Sequence, residues 1–131
     1  MTSTTPARVL IVDDNPVIRQ ALSGVIRHDE KLTVVGEAWT GEAALESLDA
    51  LKPDVVCLDV VMPGMDGIAV LRRLRESYPA IRVVIITGAA TSETVKEALA
   101  LGAHGFVVKP FNAGKVLGAI HAALMPDAGQ K

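Results

Sequence analysis

The sequence predicts an α/β fold: one doubly wound parallel sheet of five strands, with five helices covering its two faces. Three observations predict it. Short Val/Ile-rich runs recur five times, stretches with helical apolar spacing separate them, and a chain of 131 residues is the size of one domain.

Arg8–Asp13 (RVLIVD) is the first strand, nearly all apolar and closed by acid. Asn15–Pro16 then supplies a cap and a proline at the first helical position. The first helix carries an apolar stripe at Val17, Ile18, Ala21, Leu22, Val25 and Ile26. Thr33–Ala38 is the second strand, and Leu45, Leu48 and Leu51 mark the second helix. Asp54–Asp59 is the third strand, followed by a helix through Ile68, Leu71 and Leu74 that Asp66 is placed to start. Gly67 beside it is read as supplying backbone freedom, and Met62–Pro63 as shaping the loop. Arg82–Thr87 is the fourth strand. The fourth helix starts at Thr91 or Ser92, carries Val95, Ala98 and Leu99, and is followed by Gly102. Gly105–Lys109 is the fifth strand, and Val116, Leu117, Ile120 and Leu124 mark the fifth helix. Three of the strands lack a strict two-residue alternation, as expected of strands covered on both faces. Residues 1–7 and 126–131 read as tails around a domain spanning 8–125.

Composition narrows the function. A net charge of −2 and 3% aromatic residues do not suit a protein that tracks phosphates or stacks bases, so no direct nucleic-acid binding is expected. No apolar run approaches the roughly 20 residues that span a bilayer, and residues 1–7 lack the features of a secretory signal. The single cysteine excludes an internal disulfide or a multi-cysteine metal site. A cytoplasmic protein with no membrane partner is the expectation.

Polar residues gather where this architecture puts ligands. In a parallel sheet the C-terminal strand ends share one edge, and ligands bind there where the strand order reverses. The first strand ends in Asp13–Asp14, the third in Asp59, the fourth in Thr87 and the fifth in Lys109. Each residue also has an ordinary structural use. Asp14 could simply cap the first helix, a strand-end lysine is often a solvated gatekeeper, and threonine is a common strand former. Their coincidence on one rim is what a bland surface does not explain.

Electrostatics sharpens the point. Two carboxylates 4 Å apart repel by about 4 kcal/mol at an effective dielectric near 20, and one lysine does not cancel three of them. A hard divalent cation does, and carboxylate, carbonyl and water oxygens suit Mg2+. A carboxylate nucleophile, a metal, an ammonium and a hydroxyl together are equipped for phosphoryl transfer.

These residues resemble the receiver domain of two-component response regulators. The resemblance rests on Asp13–Asp14, on Asp59-Val-Val-Met-Pro-Gly-Met-Asp66-Gly67 (D-x-x-M-P-x-x-D-G), on Thr87-Gly-Ala and on Lys109–Pro110–Phe111, all in order over residues 8–124. The nearest likeness is to the stand-alone, chemotaxis (CheY-like) type, since no output module is recognisable after the fifth helix. The fold implied is flavodoxin-like, with strand order 2-1-3-4-5.

The resemblance implies that Asp59 accepts a phosphoryl group from a sensor histidine kinase or phosphotransfer protein. It implies Mg2+ held by Asp14, Asp59 and the Val61 backbone carbonyl, with Asp13 acting through water. Lys109 would pair with the phosphoryl group and Thr87 would move to hydrogen-bond it. Phe106 would stand at the switch-aromatic position and relay the change to the face of the fourth helix, fifth strand and fifth helix. A downstream protein target, and a monomer or phosphorylation-dependent dimer, are implied as well. So is a cis Lys109–Pro110 bond. Val61 and Ala89 stand where the family tunes dephosphorylation. The implied protein is a switch that assists its own phosphorylation and dephosphorylation, and not an enzyme.

Three other readings compete. A phosphohydrolase of the haloacid-dehalogenase kind shares the Asp, Thr, Lys and Mg2+ but wants a second acid where Val61 stands. A dinucleotide site needs a glycine-rich loop, and Asp14–Asn15–Pro16 follows the first strand instead. The domain could also be the receiver part of a DNA-binding regulator. Other residues read as structural: Cys57 as an inert core thiol, His28, His104 and His121 as surface or helix-end residues, and Arg72, Arg73 and Arg75 as a solvated face beside Glu76. Trp39 reads as a partly exposed loop aromatic near the pocket mouth. Glu93, Lys96, Glu97 and Lys115 mark a surface able to dimerise or bind a target.

Overall fold

The computed structural model describes residues 5–62 and 64–125. Pro63, residues 1–4 of the expected N-terminal tail and the whole expected C-terminal tail lie outside them. Chain order runs β1 (Ala7–Val12), α1 (Pro16–Arg27), β2 (Leu32–Ala38), α2 (Gly41–Leu51), β3 (Val55–Leu58), α3 (Gly67–Ser77), β4 (Arg82–Thr87), α4 (Ser92–Ala100), β5 (Gly105–Val108) and α5 (Ala113–Leu124). All four strand pairings are parallel, in the order β2-β1-β3-β4-β5. The expected fold is present. β1 begins one residue earlier than read: Ala7 pairs with Leu32 and belongs to the sheet, not to a tail.

The all-apolar runs are explained by two cores. Leu10, Val12, Val56, Leu58, Val83 and Ile85 pack with α2, α3 and α4 residues on one face. Val9, Ile11, Val55, Cys57, Val84 and Ile86 pack with α1 and α5 on the other. Alternate residues of one strand thus enter different cores, and both sets must be apolar.

Helix starts follow side-chain chemistry. Asn15, Thr40, Asp66, Thr91 and Asn112 are the N-caps, each accepting from an amide of the first turn. Asn15, not Asp14, therefore caps α1, which leaves the Asp14 carboxylate for other use.

The buried face of α1 is rotated from the apolar stripe. Val17 is 69% exposed and Ala21 is exposed, while Arg19, Leu22, Ser23 and Ile26 are buried. In α4 only Ala98 is buried, and Leu99 turns out to solvent. Gly67 has no positive φ; Gly64 does, at 76°. A Cβ on Gly67 would stand 2.6 Å from Val60 Cα and closer still to the Asp59 carbonyl oxygen, so close approach is what requires glycine there.

Candidate functional site

β1 lies between β2 and β3, so successive connections leave it in opposite directions and its C-terminal end opens a crevice. Val12 pairs with Leu58, and the Asp59 amide donates to the Val12 carbonyl at 3.0 Å. That register sets Asp13 and Asp59, the next residues on each strand, side by side. On the far side Thr87 pairs with Val108, and the Lys109 amide donates to the Thr87 carbonyl at 2.9 Å.

The result is an open pocket of about 460 Å3 lined by Asp13, Asp14, Asn15, Asp59, Val61, Thr87, Gly88, Ala89 and Lys109. Asp13 and Asp59 are buried at its floor and Asp14 is exposed at its rim. Carboxylate oxygens of these three acids lie within 4.8 Å of one another. Lys109 Nζ donates to Asp13 Oδ2 at 2.7 Å and to Asp59 Oδ2 at 3.2 Å. The other Asp13 oxygen accepts from the Asn15 amide at 2.9 Å, and Asp59 Oδ1 accepts from the Val61 amide at 3.3 Å. Thr87 Oγ1, fully buried, accepts from the Ala89 amide at 3.2 Å.

Burial by itself would lower the Lys109 pKa, but the hydrogen bond to Asp13 and the charges of Asp59 and Asp13 outweigh it and raise the pKa. The ammonium stays charged and supplies one positive charge against three carboxylates. Oxygen donors alone, two of them anionic and buried, make a donor set that fits a hard divalent cation such as Mg2+.

Six of the seven residues expected at the site, Asp13, Asp14, Asp59, Val61, Thr87 and Lys109, line this pocket. Phe106 does not. It lies in β5 opposite Ile85, partly buried against the core shared with α2–α4. The Lys109–Pro110 bond is cis.

Sequence reasoning missed Arg19. Its guanidinium is buried and Nη1 donates to the Asp13 carbonyl at 2.7 Å. Nε meets Glu37 Oε1 at 3.3 Å, and the Trp39 ring stands 5.4 Å away. No signal marks it, because an arginine in the first turn of a helix reads as solvent-facing. The residues set aside stay apart from the pocket. Cys57 is buried in β3 with its thiol pushed up to about 12 by burial. His28 Nδ1 pairs with the Gly24 carbonyl, His121 with Asp29, and His104 Nδ1 accepts from the Val83 amide. The basic cluster is divided: Arg75 donates to the Pro79 and Ile81 carbonyls, while Arg72 lies 4.0 Å from Glu97. No described helix is long and apolar enough to cross a membrane.

Comparison with known proteins agrees with this geometry. Residues 9–121 match the family model of the response regulator receiver domain. The chain is 37% identical over 123 residues to the nitrate/nitrite response regulator NarL of Escherichia coli, which covers 94% of this chain and 57% of that protein. It is 48% identical over 111 residues to a protein-glutamate methylesterase/protein-glutamine glutaminase of Myxococcus xanthus, covering 84% of this chain and 32% of the relative. The chain thus spans about half the length of the first relative and a third of the second. Among solved structures, a chain of the CheX-CheY-BeF3-Mg+2 complex from Borrelia burgdorferi superposes with a TM-score of 0.87 at 32% identity, over 93% of this chain and 92% of that one. The receiver domain of a NarL regulator from Mycobacterium tuberculosis gives 0.84 at 36% identity, over 92% and 99%. Register, acid cluster and family match meet in one statement: the chain belongs to the response regulator receiver domains of two-component signalling.

Proposed function

We propose that Asp59 is the phosphoacceptor of this receiver and that its donor is the phosphohistidine of a sensor histidine kinase or phosphotransfer protein. One carboxylate oxygen of Asp59 attacks phosphorus. A P–O bond forms, the P–N bond breaks, and the imidazole nitrogen leaves with the electron pair and takes a proton from solvent. Water later attacks phosphorus of the acyl phosphate, the P–O bond to Asp59 breaks, and inorganic phosphate leaves as the carboxylate is restored.

Each neighbour has a distinct task. Asp14, Asp59 and the Val61 carbonyl would hold Mg2+, with Asp13 acting through water, and the bound ion would supply positive charge to the phosphoryl oxygens. Lys109, already 3.2 Å from Asp59 Oδ2, pairs with the incoming group. Thr87 gives up the Ala89 amide and donates its hydroxyl to a phosphoryl oxygen. Phe106 then turns inward and alters the α4–β5–α5 face. That face is lightly anchored, since α4 buries only Ala98 and Leu99 and Val108 are 53% and 50% exposed. A downstream protein reads it. Val61, two residues after Asp59, is apolar, so no acid stands there to drive turnover of phosphomonoesters, and the domain works as a switch.

The observation that carries this reading is the convergence of three carboxylates and one ammonium, from three strand ends, on a single pocket, with Asp13 and Asp59 at its floor and Asp14 at its rim. Acetyl phosphate with Mg2+ tests it. Wild-type protein gains one phosphoryl group by intact mass and Asp59→Ala does not. Equal labelling of the two proteins would refute the assignment.

A further inference from the structure

We infer that Arg19 is a positioning residue for the metal site: its buried guanidinium fixes the Asp13–Asp14 peptide and so holds the Asp14 carboxylate where Mg2+ is bound. The inference rests on reading the acid cluster as a Mg2+ site and extends it to a residue outside the pocket.

A buried cation is costly unless it is paired and hydrogen-bonded. Arg19, 9% exposed, spends its fork on three partners. Inward, Nη1 reaches the Asp13 carbonyl at 2.7 Å; outward, Nε meets Glu37 Oε1 at 3.3 Å, and the Trp39 ring lies 5.4 Å from the guanidinium carbon. Glu37 and Trp39 flank the end of β2, whose Ala38 carbonyl accepts from the Asp13 amide at 3.1 Å. Asp13 is therefore held at its amide by β2, at its carbonyl by Arg19 and at its carboxylate by Lys109 and the Asn15 amide.

Asp14 differs. It is exposed, and among the described residues its carboxylate has no hydrogen-bond or ion-pair partner. No side-chain partner holds it, so the backbone alone fixes the Cα from which it projects. The peptide joining Asp13 to Asp14 is planar, so aiming the Asp13 carbonyl at Arg19 also fixes the Asp14 amide and Cα. Outer groups that orient metal ligands this way typically change affinity by about 10–100-fold when removed.

Mg2+ titrations followed by the NMR shifts of the Asn15 and Val61 amides, beside denaturant unfolding in chelator, test this. In Arg19→Met the Mg2+ dissociation constant rises about tenfold, the lower end of that range. Phosphorylation by acetyl phosphate slows at limiting Mg2+ and recovers at saturating Mg2+, a rescue that a purely structural brace would not give. Lower stability with unchanged Mg2+ affinity would overturn the inference. Should Arg19→Met not fold, Arg19→Lys decides, because one ammonium cannot serve Asp13, Glu37 and Trp39 together; unchanged Mg2+ affinity in that variant overturns the inference equally. Wild-type protein that fails to bind Mg2+ would instead sink the reading of the acid cluster, which separates the two failures.

Discussion

Lys109 makes its shorter contact with Asp13, 2.7 Å across 96 positions of sequence, and so binds the end of β5 to the end of β1 before any phosphoryl group arrives. Asp13 is 1% exposed, and this ammonium is the cation that offsets its burial. Two anionic floor residues share one lysine, which ties the stability of the pocket to its charge balance.

Lys109→Met leaves Asp13 and Asp59 facing one another without a cation. Removing one partner of a buried ion pair costs about 3–5 kcal/mol, and the partial exposure of Lys109 puts the expected loss at or below the low end. The loss is largest in chelator and shrinks in Mg2+, because the ion replaces the missing charge. Denaturant unfolding of wild type and variant under both conditions measures it. An equal loss with and without Mg2+ would show that the acids do not share a cation.

Gly67→Ala strikes the backbone of Asp59 and Val60 from below. The added Cβ would stand 2.6 Å from Val60 Cα, and this is rigid backbone with no side chain to swing aside. Overpacking of this kind costs about 1–3 kcal/mol. The Asp59–Val60 backbone must shift, so phosphorylation by acetyl phosphate falls along with stability. Gly118→Ala, in an open stretch of α5, is the control and leaves both intact. Similar behaviour of the two variants would remove the case for close approach at Gly67.

Burial is the property that the sequence makes legible. A strand covered on both faces is apolar throughout, so Asp13, Asp59 and Thr87 stand out as the polar residues that end such runs, and Lys109 ends the shorter apolar run of the half-exposed β5. Caps are legible because their partners are local: Asn15, Asp66 and Thr91 satisfy amides two or three residues away. Tertiary demands are not. Hydrophobic periodicity favours Val17 and Ala21 for the inner face of α1, yet Arg19 takes it because a carbonyl, a carboxylate and an indole meet its charge there. Nothing local says that Gly67 lies on the backbone of Asp59, or that Leu99 is left half exposed.

Cys57 is predicted to be chemically silent in the folded protein. Burial raises its thiol to about 12, so almost none is thiolate at neutral pH, and a reagent has no path to it at 1% exposure. An aromatic disulfide reagent should label no thiol in native protein and one per chain in denaturant. Rapid native labelling would mean that β3 opens far more readily than its place in the sheet allows.

At the opposite end of the domain, His121 of α5 and Asp29 of the α1–β2 loop meet at 2.6 Å, and Asp29 also accepts from the Lys31 amide at 2.9 Å. The hydrogen bond from His121, then that from Lys31, hold the Asp29 carboxyl below its usual value of 3.8. A carboxyl depressed in the folded state binds fewer protons than in the unfolded one. Its contribution is therefore complete above pH 3.8 and is lost as pH falls through the lower folded value. Asp29→Asn keeps an oxygen for Lys31 but gives up the charge. The stability gap between wild type and variant should be no more than about 1 kcal/mol, because the His121 side of the pair is 40% exposed to solvent. It should hold steady from about pH 5 to about pH 4 in unfolding titrations, then close in more acid solution. A gap that widens with acid would mean that His121 does not hold Asp29 in its charged form.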